Sequence, residues 1–156
     1  MEARAAAMRG PGRVEENPAF YGAGIIGRMD GLHLTADLCG CDPASPLMTD
    51  PAALRVMCLR AAVDAALQPV GELFHRFPHP GGVTGVVLLA ESHLAVHTWP
   101  ELASVTVDVY VCNFGADNSA RAETLLAALV NAFGPVAVQR HALRRGRPTV
   151  LEVAGP

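Results

Sequence analysis

The residues of this chain that can act as nucleophiles, acids or bases are concentrated in residues 91–101, whose sequence is Glu-Ser-His-Leu-Ala-Val-His-Thr-Trp-Pro-Glu. Cys112 follows one predicted strand later. The segment lies among apolar runs typical of buried strands, where an unpaired polar group costs roughly 1–3 kcal/mol. We therefore expect these side chains either to satisfy one another or to perform chemistry.

A metal site is the first chemistry that these residue types allow, because His93, His97 and Cys112 could all bind zinc. On a strand, the two histidines share a face but lie about 13 Å apart at roughly 3.3 Å per residue. That separation is too large for one zinc ion. The pair Cys39 and Cys41 has no second pair to complete a four-ligand site. The spacing therefore predicts no metal.

A serine hydrolase is the second chemistry to consider. Ser92 does not lie in the G-x-S-x-G sequence of a nucleophile elbow, and the residues after it are typical of a strand. In hydrolases with that elbow, a helix follows the serine directly. The sequence therefore disfavours this reaction.

Self-processing of the chain at Ser92 is the third chemistry. Glu91-Ser92-His93 is predicted to form a tight reversal between two strands, and a serine at such a turn can attack the carbonyl of the residue before it. Removal of the serine α-proton from the resulting ester would then cut the chain and leave a group that hydrolyses to pyruvoyl. This route needs a hydroxyl, a base and a group that stabilises the oxyanion. Ser92, His97 and Thr84 are the candidates for these roles.

The composition excludes several other mechanisms. All twelve residues in the Lys+Arg count are arginine, so no lysine can form a Schiff base with pyridoxal phosphate or bind nucleotide phosphates in a P-loop. A net charge of −3 with scattered arginines argues against a nucleic-acid-binding domain. Neither a membrane span nor a secretory signal is predicted. The sequence therefore predicts a soluble cytoplasmic protein whose four cysteines are free thiols.

The remaining segments predict the elements that position the reactive residues. Asp50 as N-cap and Pro51 at the first helical position begin one helix, which extends to Ala65. Asn118 caps a second helix, which ends at Gly134. Strands are predicted at residues 31–38, 83–90, 94–99, 104–112, 136–143 and 149–153. This order favours an α+β fold, in which two helices pack on one face of a mostly antiparallel sheet, preceded by a flexible extension over residues 1–30.

The segment 91–101 resembles the processing segment of prokaryotic S-adenosylmethionine decarboxylases, which belong to the pyruvoyl-dependent decarboxylases. The resemblance extends over about residues 31–146. It includes Gly31-Leu32-His33-Leu34, Asp37, Cys41-Asp42, Phe74-His75-Arg76-Phe77, Gly82-Val83-Thr84-Gly85 and Asp108-Val109-Tyr110-Val111-Cys112. So many motifs in the family's order do not agree by chance.

The resemblance implies cleavage between Glu91 and Ser92 of a domain spanning residues 31–156, which gives a β chain of 1–91 and an α chain of 92–156. It implies a covalent pyruvoyl group at position 92 that forms a Schiff base with the substrate, without pyridoxal phosphate or metal. The implied roles are: His97, processing base; Thr84, oxyanion support; Cys112, proton donor to the substrate carbon; Glu101, ribose binding; Phe77, adenine binding; and Trp99, a substrate contact beside the sulfonium.

The implied function is decarboxylation of S-adenosylmethionine to supply the aminopropyl donor for spermidine biosynthesis. Two alternatives remain open from the sequence: the same chemistry on arginine or ornithine, and an unprocessed regulatory subunit that binds a partner. The resemblance also implies a homodimer or a tetramer. In the dimer, two sheets face one another in an α/β/β/α sandwich with the active sites at the interface.

Overall fold

Six strands form one antiparallel sheet in the part of the chain that the structure describes. The structure is a computed structural model, and it describes residues 30–79, 81–113 and 115–146. The strands are β1 (Gly31–Cys39), β2 (Pro69–Arg76), β3 (Val83–Leu89), β4 (Ser92–Trp99), β5 (Ser104–Cys112) and β6 (Ala137–Arg145). They lie in the order β2-β3-β4-β5-β1-β6, and every neighbouring pair is antiparallel. The prediction of an α+β fold is confirmed.

Helices cover one face of this sheet. Within the described ranges they are α1 (Pro46–Thr49), α2 (Pro51–Asp64) and α3 (Ser119–Phe133). The side chain of Asp50 caps α2 by accepting a hydrogen bond from the Ala52 N–H at 2.8 Å. At the end of α3, Gly134 adopts a left-handed conformation with φ of 55°. Because α2 contacts both α3 and the sheet, the two long helices lie on the same side, as predicted.

The structure corrects the predicted elements in three places. The expectation of two helices omitted α1, which begins where Ser45 accepts a hydrogen bond from the Leu47 N–H at 3.3 Å. β2 was not predicted, because it is an edge strand whose residues are mostly exposed and do not alternate in hydropathy. The reversal predicted over residues 91–93 lies at Ala90 and Glu91, so Ser92 is already the first residue of β4.

Two predicted segments lie outside the described residues. These are the extension over residues 1–30, apart from Asp30, and the closing strand over residues 149–153. The buried core of the described residues lies mainly on β1, β3, β4, β5 and the three helices that pack on them.

The two faces of the sheet differ in what covers them. On β5, every second residue is buried towards the helices, and the residues between them are partly exposed on the opposite side. The same alternation occurs on β1, β3 and β4. We call the side away from the helices the open face. Its residues on these strands are His33, Thr35, Asp37, Thr84, Val86, Leu88, His93, Ala95, His97, Trp99, Thr106, Asp108, Tyr110 and Cys112.

Candidate active site

Ser92 begins β4 directly after a two-residue turn. Leu89 pairs with Ser92 across the hairpin, and Ala90 and Glu91 form the turn between them. Glu91 has a φ of 68°, the left-handed conformation that costs a residue other than glycine about 1–2 kcal/mol. The peptide bond between Glu91 and Ser92 therefore follows a residue in a sparsely populated backbone conformation.

Cys112, the last residue of β5, lies beside Ser92. The Cys112 backbone N–H donates a hydrogen bond to Ser92 Oγ at 3.2 Å, and the thiol is free and half-buried. The side chain of Cys112 belongs to the open face. Ser92, at the end of the sheet, occupies a position of β4 that faces the helices. The two residues are therefore neighbours through the Cys112 backbone, while their side chains lie on different faces of the sheet.

A second cluster lies at the opposite end of β4. Thr84 and His97 are directly opposite one another across β3 and β4, and Thr84 Oγ1 lies 3.0 Å from His97 Nδ1. A hydroxyl and an imidazole at this distance can share a proton. The predicted processing base and its predicted oxyanion partner therefore form one hydrogen-bonded pair.

Thr84 and His97 line a pocket of about 350 Å³. The pocket contains all three predicted substrate contacts, which are Phe77, Trp99 and Glu101. The ring of His75 meets Phe77 edge to face, with the ring centroids 5.0 Å apart. Two flat aromatic rings and one carboxylate thus surround a cavity of the size that small ligands occupy.

Sequence reasoning missed three of the residues that line the pocket, namely His79, Gly82 and Thr98. Thr98 lies between two predicted site residues in the His-Thr-Trp sequence, which was a signal that could have indicated it. A Cβ atom on Gly82 would lie 2.3 Å from the Thr98 carbonyl oxygen, so only glycine allows the chain to approach so closely here. The two walls of the pocket meet at this point.

The buried side chain of Thr98 joins three elements beneath the pocket. Its Oγ1 donates to the Met48 carbonyl oxygen at 2.7 Å and accepts from the Val83 N–H at 2.8 Å. Only 4% of Thr98 is exposed, so loss of the hydroxyl would leave both backbone groups without a partner and without water.

We expect Thr98→Val to lower the free energy of unfolding by about 1–3 kcal/mol, because the shape is kept while two buried backbone groups lose their partner. Urea denaturation measures this loss. Thr124→Val is the matched control, since Thr124 donates to the Ala120 carbonyl oxygen on an exposed face of α3 and should cost no more than about 0.5 kcal/mol. Equal losses in the two variants would contradict this account of Thr98.

The two clusters do not meet within one chain. Ser92 and His97 are five residues apart on a continuous strand, which separates them by about 16 Å at roughly 3.3 Å per residue. The spacing is odd, so their side chains also point to opposite faces. Within a single protomer, His97 cannot reach the Ser92 α-proton.

Histidines and an acid surround an aromatic ring on the open face next to Ser92. His33 Nε2 lies 3.3 Å from Asp108 Oδ1, and the rings of His33 and His93 both contact Tyr110. Burial is the main cause that lowers the pKa of His93, and the neighbouring His33 lowers it further. The Arg145 guanidinium lies 5.8 Å from the centre of the Tyr110 ring. These groups pack against one another, which agrees with a structural role for His33 and His93.

No group of three or more His, Cys, Asp or Glu side chains in residues 30–79, 81–113 and 115–146 is arranged to hold a metal ion. None of the helices there combines the length and the hydropathy that a membrane span needs.

Comparisons with known proteins identify close similarity over most of the chain. Residues 32–146 match the model of the S-adenosylmethionine decarboxylase family. An S-adenosylmethionine decarboxylase proenzyme from Symbiobacterium thermophilum is 39% identical over 123 residues, which are 79% of this chain and 88% of that protein. A proenzyme of the same name from Hydrogenobaculum is 34% identical over 116 residues, which are 74% of this chain and 81% of that protein.

A third proenzyme and a crystal structure agree with these matches. The proenzyme from Pelotomaculum thermopropionicum is 43% identical over 82 residues, which are 53% of this chain and 63% of that protein. The crystal structure of the adenosylmethionine decarboxylase from Aquifex aeolicus superposes with a TM-score of 0.67 at 31% identity. It covers 83% of this chain and 99% of the crystallised chain.

Proposed function

Since the chain belongs to the S-adenosylmethionine decarboxylase family, we propose that it cuts itself between Glu91 and Ser92 and then decarboxylates S-adenosylmethionine with the pyruvoyl group formed at position 92. The observation that carries this proposal is the position of Ser92. It follows the strained Glu91 at a hairpin turn and has Cys112 beside it. No lysine is present to form a Schiff base with pyridoxal phosphate, so the carbonyl that such a decarboxylase needs must come from the chain itself.

Processing begins when Ser92 Oγ bonds to the Glu91 carbonyl carbon and the C–N bond breaks, which converts the amide to an ester. Relief of the left-handed conformation at Glu91 favours this step. The Oγ proton passes to the Ser92 nitrogen, which becomes a free amine. A base then removes the Ser92 α-proton and the Cβ–Oγ bond breaks, so Oγ leaves as part of the Glu91 carboxylate and position 92 becomes dehydroalanine. The imine tautomer of this residue adds water and loses ammonia, which leaves the pyruvoyl group. We assign the base to His97, whose imidazole shares a hydrogen bond with Thr84.

The residues around position 92 fit a pyruvoyl group. The site lies at a turn, at the sheet's end, with the free and half-buried Cys112 on the neighbouring strand. When formed, the group supplies a ketone that condenses with the substrate amine and accepts the electrons released as CO2 leaves. Cys112 holds the proton that the substrate carbon takes up afterwards.

The pocket between β3 and β4 binds the rest of the substrate. Phe77 and Trp99 are 49% and 44% exposed, so their faces are available to the adenine ring and to the sulfonium cation. Glu101 lies in the same pocket and accepts hydrogen bonds from ribose hydroxyls. These contacts select a substrate that carries both a nucleoside and a positive charge.

The complete site is assembled from two copies of the chain. One protomer holds Ser92 and Cys112 at one end of β4 and holds Thr84 and His97 at the other end. A two-fold rotation that brings two open faces together can place each Ser92 end against the His97 end of the partner.

Apolar side chains support this arrangement, because several of them lie on the open face with much of their surface exposed. The exposed fractions are 70% for Leu73, 52% for Leu88, 57% for Leu143 and 44% for Trp99. A second sheet would bury them and give the α/β/β/α sandwich.

Mass measurement and CO2 release test the function together. We expect the purified protein to contain two fragments, 1–91 and 92–156, the second with a pyruvoyl terminus, and to release CO2 from S-adenosylmethionine. Arginine and ornithine serve as comparison substrates and should give none, because neither carries the nucleoside that the pocket is built for. An intact chain, or CO2 from arginine or ornithine alone, would overturn the proposal.

A further inference from the structure

Asn118 occupies the cap position of α3 without capping it. Asparagine is among the residues that best cap helices, and the sequence predicts that role here. Asn118 makes no side-chain cap hydrogen bond to the helix; its Nδ2 donates instead to the Cys112 carbonyl oxygen at 2.8 Å. Asp117 binds the start of the helix instead, because its carboxylate accepts a hydrogen bond from the Ser119 N–H at 2.9 Å. Hydrogen bonds from the Ser119 hydroxyl and N–H lower the pKa of Asp117.

The rest of Asn118 is also fixed by hydrogen bonds. Its backbone N–H donates to Asn113 Oδ1 at 2.9 Å, and its own Oδ1 accepts from Arg121 Nη1 at 2.9 Å. Asn113 Nδ2 in turn donates to Ser119 Oγ at 3.2 Å. The amide of Asn118 is therefore held in place from both sides, at the point where it meets the end of β5.

Cys112 lies where the strand ladder ends on the β4 side, whereas the pairing with β1 continues to Asn113, whose N–H donates to the Asp30 carbonyl oxygen at 2.7 Å. In the described sheet, Cys112 pairs with Gly31 of β1, while the ladder between β4 and β5 stops at His93 and Tyr110. Towards β4, its N–H donates a hydrogen bond to Ser92 Oγ at 3.2 Å. That oxygen leaves with Glu91 when the chain is cut, so the contact is lost in the processed enzyme.

We propose that Asn118 is a positioning residue that holds the end of β5, and with it Cys112, beside position 92 after processing. This inference rests on the proposed function. It predicts that the amide donor, and not the capping ability of residue 118, controls turnover.

Asn118→Asp separates these two roles. Aspartate is as good a cap as asparagine and keeps the acceptor for Arg121, but it replaces the donor to the Cys112 carbonyl with a carboxylate oxygen. We expect kcat to fall about tenfold with KM changed less than about twofold, since small misplacements of a reacting group reduce the chemical step. Asn118→Ala should do the same. The fragments 1–91 and 92–156 should still form.

Alkylation of Cys112 by iodoacetamide gives a readout that does not need turnover. We expect the rate, followed by peptide mass, to rise several-fold in Asn118→Asp because the end of β5 is no longer held. Val130→Ala is the control for a general loss of stability, since Val130 is buried in α3 far along the helix from Cys112. It should leave kcat and the alkylation rate near the wild-type values.

Wild-type kcat and alkylation rate in Asn118→Asp, or equal changes in Val130→Ala, would overturn the inference and leave Asn118 with a structural role only. Failure of the wild-type protein to cleave itself or to release CO2 would instead refute the proposed function. In that case the alkylation rates alone still decide whether Asn118 holds Cys112.

Discussion

Replacement of Ser92 by alanine will leave the protein as one uncut chain of 156 residues without decarboxylase activity. The methyl group cannot attack the Glu91 carbonyl, so no ester forms and no pyruvoyl group is produced. With no lysine in the sequence to form a Schiff base with pyridoxal phosphate, that cofactor cannot replace the missing pyruvoyl group. Intact mass spectrometry reports the uncut chain, and CO2 release from S-adenosylmethionine reports the lost activity.

Ser104→Ala is the matched control for this variant. Ser104 lies on the same sheet, at the start of β5, and its hydroxyl donates to the Leu102 carbonyl oxygen at 2.9 Å on an exposed surface. The variant should be cut between Glu91 and Ser92 and remain active. Cleavage of Ser92→Ala at the same bond, or CO2 release at the wild-type rate, would show that Ser92 is not the nucleophile.

Coexpression of Ser92→Ala with His97→Ala will restore cleavage that neither variant shows alone. In a mixed dimer, one site combines Ser92 of the His97→Ala chain with His97 of the Ser92→Ala chain, so it contains both wild-type residues. The other site contains neither. We therefore expect the His97→Ala chain alone to be cut, and CO2 release to reach up to about half of the wild-type value per dimer.

Different tags on the two chains allow the mixed dimer to be purified and each chain to be weighed separately. The geometry behind this expectation is the separation of Ser92 and His97 by about 16 Å along β4, with the two side chains on opposite faces. Cleavage of the His97→Ala chain on its own would show that His97 is not the processing base. No cleavage in the purified mixed dimer would show that the site is not shared between two chains.

The sequence predicted the fold best where periodicity is strong. The four buried valines of β5 alternate with polar residues, and the helix that starts at Asp50 and Pro51 has clear start signals, so both elements were placed correctly. β2 was missed because an edge strand with exposed residues carries no alternation. The helix Pro46–Thr49 was missed because four residues are too short for a helical period.

The sequence indicated individual site residues more readily than it indicated which of them are neighbours in space. The motif 91–101 and Cys112 indicated the chemistry, but a sequence holds no distances across a sheet. The pairing of Thr84 with His97 depends on the register between β3 and β4. Thr98 was overlooked because its importance lies in hydrogen bonds to Met48 and Val83, which are distant in sequence.

By itself, the sequence determined the class of chemistry: a serine in a polar segment, a histidine, a cysteine and no lysine are compatible with self-processing to a carbonyl. Residue types fix reactivity, and they are read directly from the chain. Only the tertiary structure decided which groups are neighbours. It placed Ser92 with Cys112 and Thr84 with His97, and it separated these pairs, because strand register and the two-residue period of a strand assign each side chain to one end and one face of the sheet.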